Sequence, residues 1–196
     1  MSTLMQMAGD KAHERTITIA TYPVGSERVI VEGSLVDRRL NDYYLMTGEK
    51  RPAGVIHHMV VRLLVETMEF GIEDVEVDLV AVPRVECAEV LDTLECIKGE
   101  KIVRGFSGRM KVLLGGVKSC THLMTLLIAM GPAALQGIFS SRARKPADMT
   151  AMIADPSRVR FFLKTLLNTC RVWREDGPAM KRLRETIDAF MAEGKR

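Results

Sequence analysis

The sequence predicts an α+β fold: a small antiparallel sheet covered on one face by helices, followed by a C-terminal helical hairpin. Three observations predict it. Four segments before Pro83 alternate apolar and polar residues with the period of a strand. From Pro83 onward, apolar residues recur at helical spacing. The connection around Phe70-Gly71 is short, which makes the last two of these strands an antiparallel pair.

Arg15 to Tyr22 reads as the first strand, with Ile17 and Ile19 on one face and Thr16 and Thr18 on the other. Gly25-Ser26 is a hairpin turn. Arg28 to Val36 returns, with Val29, Val31 and Leu35 aligned, and Asp37-Arg38-Arg39 closes it. Asn41 to Gly54 reads as an irregular loop. Val55 to Glu66 is the third strand, carrying His57, Met59, Val61, Leu63 and Val65 on one face and His58 on the other. Ile72 to Val82 is the fourth, ended by Pro83.

The helical part opens with a stripe of Cys87, Val90, Leu91, Leu94 and Ile97 that stops at Gly99. A short amphipathic piece follows from Phe106 to Leu114. Ser119 then caps a longer helix in which Leu123, Leu126, Leu127 and Met130 form one stripe. Gly131-Pro132 predicts an interruption, after which Leu135, Ile138 and Phe139 continue. Asp155-Pro156 is an N-cap with proline at the first helical position. A stripe from Val159 to Trp173, including Cys170, reads as core, and Met180, Leu183, Ile187 and Phe190 form the last helix. The organisation expected is a mobile tail over 1–14, an α+β domain over 15–139, a linker over 140–154 and a helical hairpin over 155–196.

Bulk properties exclude several classes. With 196 residues, 47% hydrophobic and 27% charged, the composition is that of a soluble globular chain, expected to be cytoplasmic. No uninterrupted apolar run is long enough for a bilayer, so no membrane role is expected. A net charge of +3 and an aromatic content of 5% argue against nucleic-acid binding. The basic outer face of the last two helices, Arg158, Arg160, Lys164, Arg171, Arg174, Lys181, Arg182 and Arg184, offers a docking surface for a protein partner. Oligomeric state is not set by the sequence. The four cysteines, Cys87, Cys96, Cys120 and Cys170, contain no C-x-x-C pair, which excludes a zinc ribbon.

Chemistry concentrates around Gly115-Gly116-Val117-Lys118-Ser119-Cys120-Thr121-His122-Leu123. A cysteine at a helix start faces unpaired N–H groups and the positive end of the dipole. Both favour the thiolate, the form that binds metal or attacks an electrophile. His122 is near in sequence, but two residues apart on a helix point about 200° apart, so the pair converges only if Cys120 lies outside the helix. Asp37, at the end of a neighbouring strand, is placed to orient a histidine from behind.

Three segments resemble the U-type iron–sulfur cluster assembly scaffold proteins over about Val55–Ala134. His57-His58-Met59-Val60-Val61-Arg62-Leu63 looks like that family's second strand. Gly71-Ile72-Glu73-Asp74-Val75-Glu76-Val77 looks like its next strand, and Gly116-Val117-Lys118-Ser119-Cys120 like the approach to its last helix. The resemblance implies that His57, Cys87 and Cys120 converge at one end of the sheet and hold Zn²⁺ or iron, with His122 as a weaker fourth ligand. It departs where Gly54-Val55-Ile56 stands in place of the scaffold's first cysteine. The Gly-Gly-Val-x-x-Cys-Thr-His-Leu run is also similar to a bacterial family of uncharacterised proteins, over roughly Arg15 to Gln136.

Three functions follow as expectations. One is a metal-binding accessory protein of scaffold-like fold. The second is an enzyme with Cys120 as nucleophile toward a small acyl or thioester substrate, and His57 or His122 as base. The third is a pure interaction module, with the C-terminal hairpin packing on a partner and the cysteines buried. Residue by residue, His57 also reads as a hydrogen-bonded core histidine and Cys87 as an inert buried thiol.

Overall fold

The computed structural model describes residues 3–144 and 155–193. The chain divides into two compact units, Met1–Ile138 and Phe139–Arg196. The first is built on a four-stranded antiparallel sheet of β1 (His13–Val24), β2 (Arg28–Arg39), β5 (Gly54–Glu66) and β6 (Ile72–Ala81), in the order β1-β2-β5-β6. The predicted strands are present; β1, β2 and β5 extend further than their alternation suggests, while β6 stops at Ala81, one residue short of the expected Val82. β1 begins two residues inside the segment read as a tail, and a 3₁₀ turn, Met5–Met7, precedes it. The expected loop after β2 contains a small hairpin of β3 (Tyr43–Tyr44) and β4 (Lys50–Arg51).

One face of the sheet is dry. Val29, Val31 and Leu35 of β2 and Met59, Val61, Leu63 and Val65 of β5 are at most 1% exposed. Burying seven such side chains stabilises the domain by roughly 1.5–3 kcal/mol each before entropy is subtracted. The other face is polar at its centre, where Arg62 meets Glu32 and Asp78, both at 2.7 Å.

After β6 comes a 3₁₀ segment, Val85–Ile97, rather than an α-helix. Of its predicted stripe only Leu94 and Ile97 are buried. Helix α1 spans Phe106–Leu114, as its amphipathic pattern indicates. The long helix α2 runs unbroken over Thr121–Arg142, so the expected interruption at Gly131-Pro132 does not occur. An interior proline costs about 3 kcal/mol. Here Leu123, Leu126, Leu127, Met130, Ala134 and Ile138 are fully buried on one side while Pro132 faces outward, and that burial offsets the loss.

Two glycines let α2 approach the sheet closely. A Cβ on Gly33 of β2 would meet Met130 Sδ at 2.6 Å, and one on Gly137 would overlap the Thr21 side chain of β1. The helix therefore crosses β2 near Met130 and β1 near Gly137. From His122 to Met130 it rises ~12 Å, and from Asp37 back to Gly33 the strand covers ~13 Å. The start of α2 is thereby delivered to the end of β2 that holds Asp37. By length and composition α2 could cross a membrane; seven of its residues are buried in the structure.

The second unit contains two helices, α3 (Pro156–Leu166) and α4 (Pro178–Glu193). Asp155 caps α3, its side chain accepting from the Ser157 N–H at 2.9 Å. Val159, Met180 and Ile187 are buried, and Phe139 meets Phe162 edge-on. The first helix ends at Leu166, short of the predicted Trp173, because Asn168 adopts a left-handed φ of 57° and its side chain accepts from the Glu175 N–H. Cys170, beyond that end, is exposed rather than core. Most of the expected linker, residues 145–154, lies outside the described residues.

Candidate metal centre

The site is built on one cross-strand row. β1 and β2 pair about Ser26, so Arg15 stands opposite Asp37, and β5 brings His57 opposite Asp37 from the other side. Asp37 and His57 continue the buried face of their strands, where alternation would otherwise place an apolar side chain. The Asp37 side chain is 2% exposed. A carboxylate buried that far is stable as an anion only if paired. Arg15 pairs it in bidentate fashion, Nε donating to Oδ1 at 2.6 Å and Nη2 to Oδ2 at 2.7 Å. That contact holds the Asp37 carboxyl below its usual range. His13 Nε2 lies 3.4 Å from Oδ1 at the outer edge.

The other side of the carboxylate faces two imidazoles. His57 Nδ1 is 3.2 Å and His122 Nε2 is 3.5 Å from the same Asp37 Oδ2. The rings lie against each other with centroids 3.9 Å apart and planes tilted by 31°. One donor atom from each of Asp37, His57 and His122 lies within 4.8 Å of the other two. His57 Nδ1 is buried and, on strict geometry, makes no hydrogen bond; Asp37 Oδ2 at 3.2 Å is the polar atom it faces. A buried ring nitrogen in that condition needs an explanation, and a ligated ion is one. Burial pushes both imidazoles below the usual histidine range. Asp37 opposes this at both rings, while His57 adds to the depression of His122. Both rings are thus held neutral at neutral pH, the state that binds metal.

His122 reaches the site because α2 begins one residue later than its cap pattern predicts. Cys120, not Ser119, occupies the cap: its C=O accepts from the Met124 N–H and its Sγ from the His122 N–H at 3.3 Å. Cys120 therefore lies outside the helix, the one condition under which it can meet His122, and its Sγ is 3.4 Å from His122 Nδ1. The preceding turn passes through Gly116 at φ 66°, a conformation that suits glycine. Ser119 Oγ is tied to Thr93 Oγ1 at 2.6 Å.

The structure thus brings together His57 and His122, and adds Asp37 among the converging donor atoms rather than behind them. Among the described residues, neither Cys87 nor Cys120 belongs to such a group. Cys87 is half-buried on the 3₁₀ segment after β6. The Cys120 sulfur faces Nδ1 of His122, whereas Nε2 of the same ring faces Asp37, so the imidazole stands between thiol and carboxylate. Cys96 is exposed and its thiol donates to the Thr93 carbonyl. Arg15 carried no signal in its own strand pattern. Strand register about the first turn, which sets it opposite Asp37, is what would have found it.

No curated protein and no solved structure matches the chain. The iron–sulfur scaffold resemblance therefore gains no support from them, and the donor set that meets here is Asp-His-His rather than thiolate-rich. Residues 13–136, the span of the sheet, the site and most of α2, match the family described as "Protein of unknown function (DUF2889)", and the chain belongs to that family.

Proposed function

We propose that this chain binds one divalent transition-metal ion, Zn²⁺ or Fe²⁺, through Asp37, His57 and His122, and that the ion acts on a bound ligand. Two imidazoles and one carboxylate suit these ions. Three protein donors leave coordination positions open, as in metal centres that do chemistry rather than brace a fold. The observation that carries the reading is the convergence of three donor atoms within 4.8 Å, one of them the buried His57 Nδ1 that faces Asp37 without a well-formed hydrogen bond. Stripping the protein with chelator and titrating it with Co²⁺ tests the reading. One equivalent should give visible ligand-field absorption, displaced by Zn²⁺ and lost in His57→Ala and His122→Ala but kept in Cys87→Ala. Co²⁺ binding that survives both histidine variants contradicts it.

A second reading rests on the Cys120–His122 contact at 3.4 Å, in which Cys120 is the nucleophile and His122 its base. It expects alkylation of Cys120 at neutral pH to be fast and to slow at least tenfold in His122→Ala; equal rates would remove it. A cytoplasmic setting, and an acidic protein partner on the basic faces of α3 and α4, complete the proposal. Charge reversal at Arg160 and Lys164 should abolish salt-sensitive binding of such a partner, and undiminished binding would exclude that surface.

A further inference from the structure

The charge around the three donors does not balance once an ion is bound. A metal-ligating imidazole is neutral, so the only anion among the donors is Asp37, and Arg15 already neutralises it. A divalent ion would leave the half-buried site with an excess of two positive charges. Arg39 adds a third. It lies two residues beyond Asp37 on the same alternation of β2, opposite His13 in the β1 pairing, and His13 Nε2 is 3.4 Å from Asp37 Oδ1. Its guanidinium rests over the Tyr43 ring, 3.8 Å from the centroid. Among the described residues, Arg39 pairs with no carboxylate. An arginine parked on an aromatic face keeps its N–H fork free for a planar bidentate acceptor. Excess positive charge in a part-buried site is costly unless an anion joins it.

We propose that the ligand taken by the metal-loaded site is a small oxyanion, a carboxylate or phosphate group, with one oxygen on the ion and another on the Arg39 guanidinium. This rests on the metal reading above and names the chemical class that the open positions receive. His13, on the exposed edge 3.4 Å from Asp37, marks the side from which the ligand enters.

The test uses the full chain loaded with one equivalent of Co²⁺. Acetate and inorganic phosphate are titrated separately, with chloride as the control anion, while the ligand-field bands are followed. Saturable band shifts with acetate, phosphate or both, absent with chloride, are expected; which oxyanion binds more tightly identifies the source. Arg39→Gln should still show the Co²⁺ bands, which also report that it folds, but bind the oxyanion about tenfold more weakly or worse. Arg28→Gln, at the opposite end of β2, should bind it as the wild type does. Co²⁺ bands that no oxyanion moves, or an equal loss in Arg28→Gln and Arg39→Gln, overturn the oxyanion proposal and leave the metal reading standing. Absence of Co²⁺ binding in the wild type overturns both.

Discussion

Replacing Arg15 with methionine separates the guanidinium that pairs with Asp37 from the metal ion proposed to join it. Methionine keeps much of the unbranched stem and removes the charge and the donors. Asp37, 2% exposed, then loses hydrogen bonds of 2.6 and 2.7 Å and is left as a buried anion beside two neutral rings. Removing one partner of a buried pair costs about 3–5 kcal/mol. The lower end applies here, because Arg15 itself is 36% exposed and water reaches its side of the pair. About 3 kcal/mol corresponds to a fall in Tm of roughly 6–12 °C for a chain of this size. Thermal unfolding of the chelator-treated variant, followed by circular dichroism, reads it. A divalent ion supplies the missing positive charge, so Zn²⁺ should restore more stability to Arg15→Met than it adds to wild type. The double variant Arg15→Met/Asp37→Asn should recover part of the loss without metal. A cost under about 1 kcal/mol, the size expected of a surface ion pair, would show that water solvates Asp37 and would refute the buried-anion argument.

Because burial holds His57 and His122 below the usual histidine value, the unfolded chain binds more protons between that value and the native ones. Stability of the metal-free protein should therefore be fully present above about pH 6.5 and fall as pH drops below it, by up to about 1.4 kcal/mol per pH unit for each histidine; denaturant melts that are flat from pH 7 to 5 would contradict this. His57→Gln should flatten that slope in the same melts. Asp37, whose carboxyl Arg15 holds low, adds a separate loss only below about pH 3.8. Gly137→Val should cost about 1–3 kcal/mol by pushing α2 off Thr21, measured by urea unfolding; an unchanged midpoint would mean that the helix does not press on β1 there. Leu63→Ala, at a fully buried position of β5, should cost about 2–5 kcal/mol in the same assay, and a loss under 1 kcal/mol would deny it a place in the core.

Periodicity made the sheet legible, since Val29, Val31 and Leu35 or Met59, Val61 and Leu63 have one reading as half-buried strands. It failed where tertiary contact overrides a local signal. Pro132 reads as a break, yet buried Leu127 and Met130 before it and Ala134 and Ile138 after it hold α2 together across it. The stripe from Cys87 to Ile97 has helical spacing, but only its last two apolar positions find a buried surface, and the segment winds as 3₁₀.

The site was half legible for a related reason. His57, Cys120 and His122 stand out by residue type. Asp37 stands out by its place at a strand end, though as an orienting group rather than a donor. Arg15 acquires meaning only from register, because nothing local says that two strands and a helix start will converge on one point. The placing of Cys120 at the cap, one residue off the Ser119 pattern, decides whether thiol and imidazole meet. A single side-chain bond to the His122 N–H makes that choice, and Ser119 is a residue type that could equally have made it.

The central claim is a metal ion bound where Asp37, His57 and His122 converge. A crystal of the protein grown with Zn²⁺, with diffraction recorded on both sides of the zinc absorption edge, tests that directly. The predicted result is one strong anomalous peak within bonding distance of His57 Nδ1, His122 Nε2 and an Asp37 carboxylate oxygen. A peak on Cys87 or Cys120 instead, or none at this corner under saturating Zn²⁺, would contradict it.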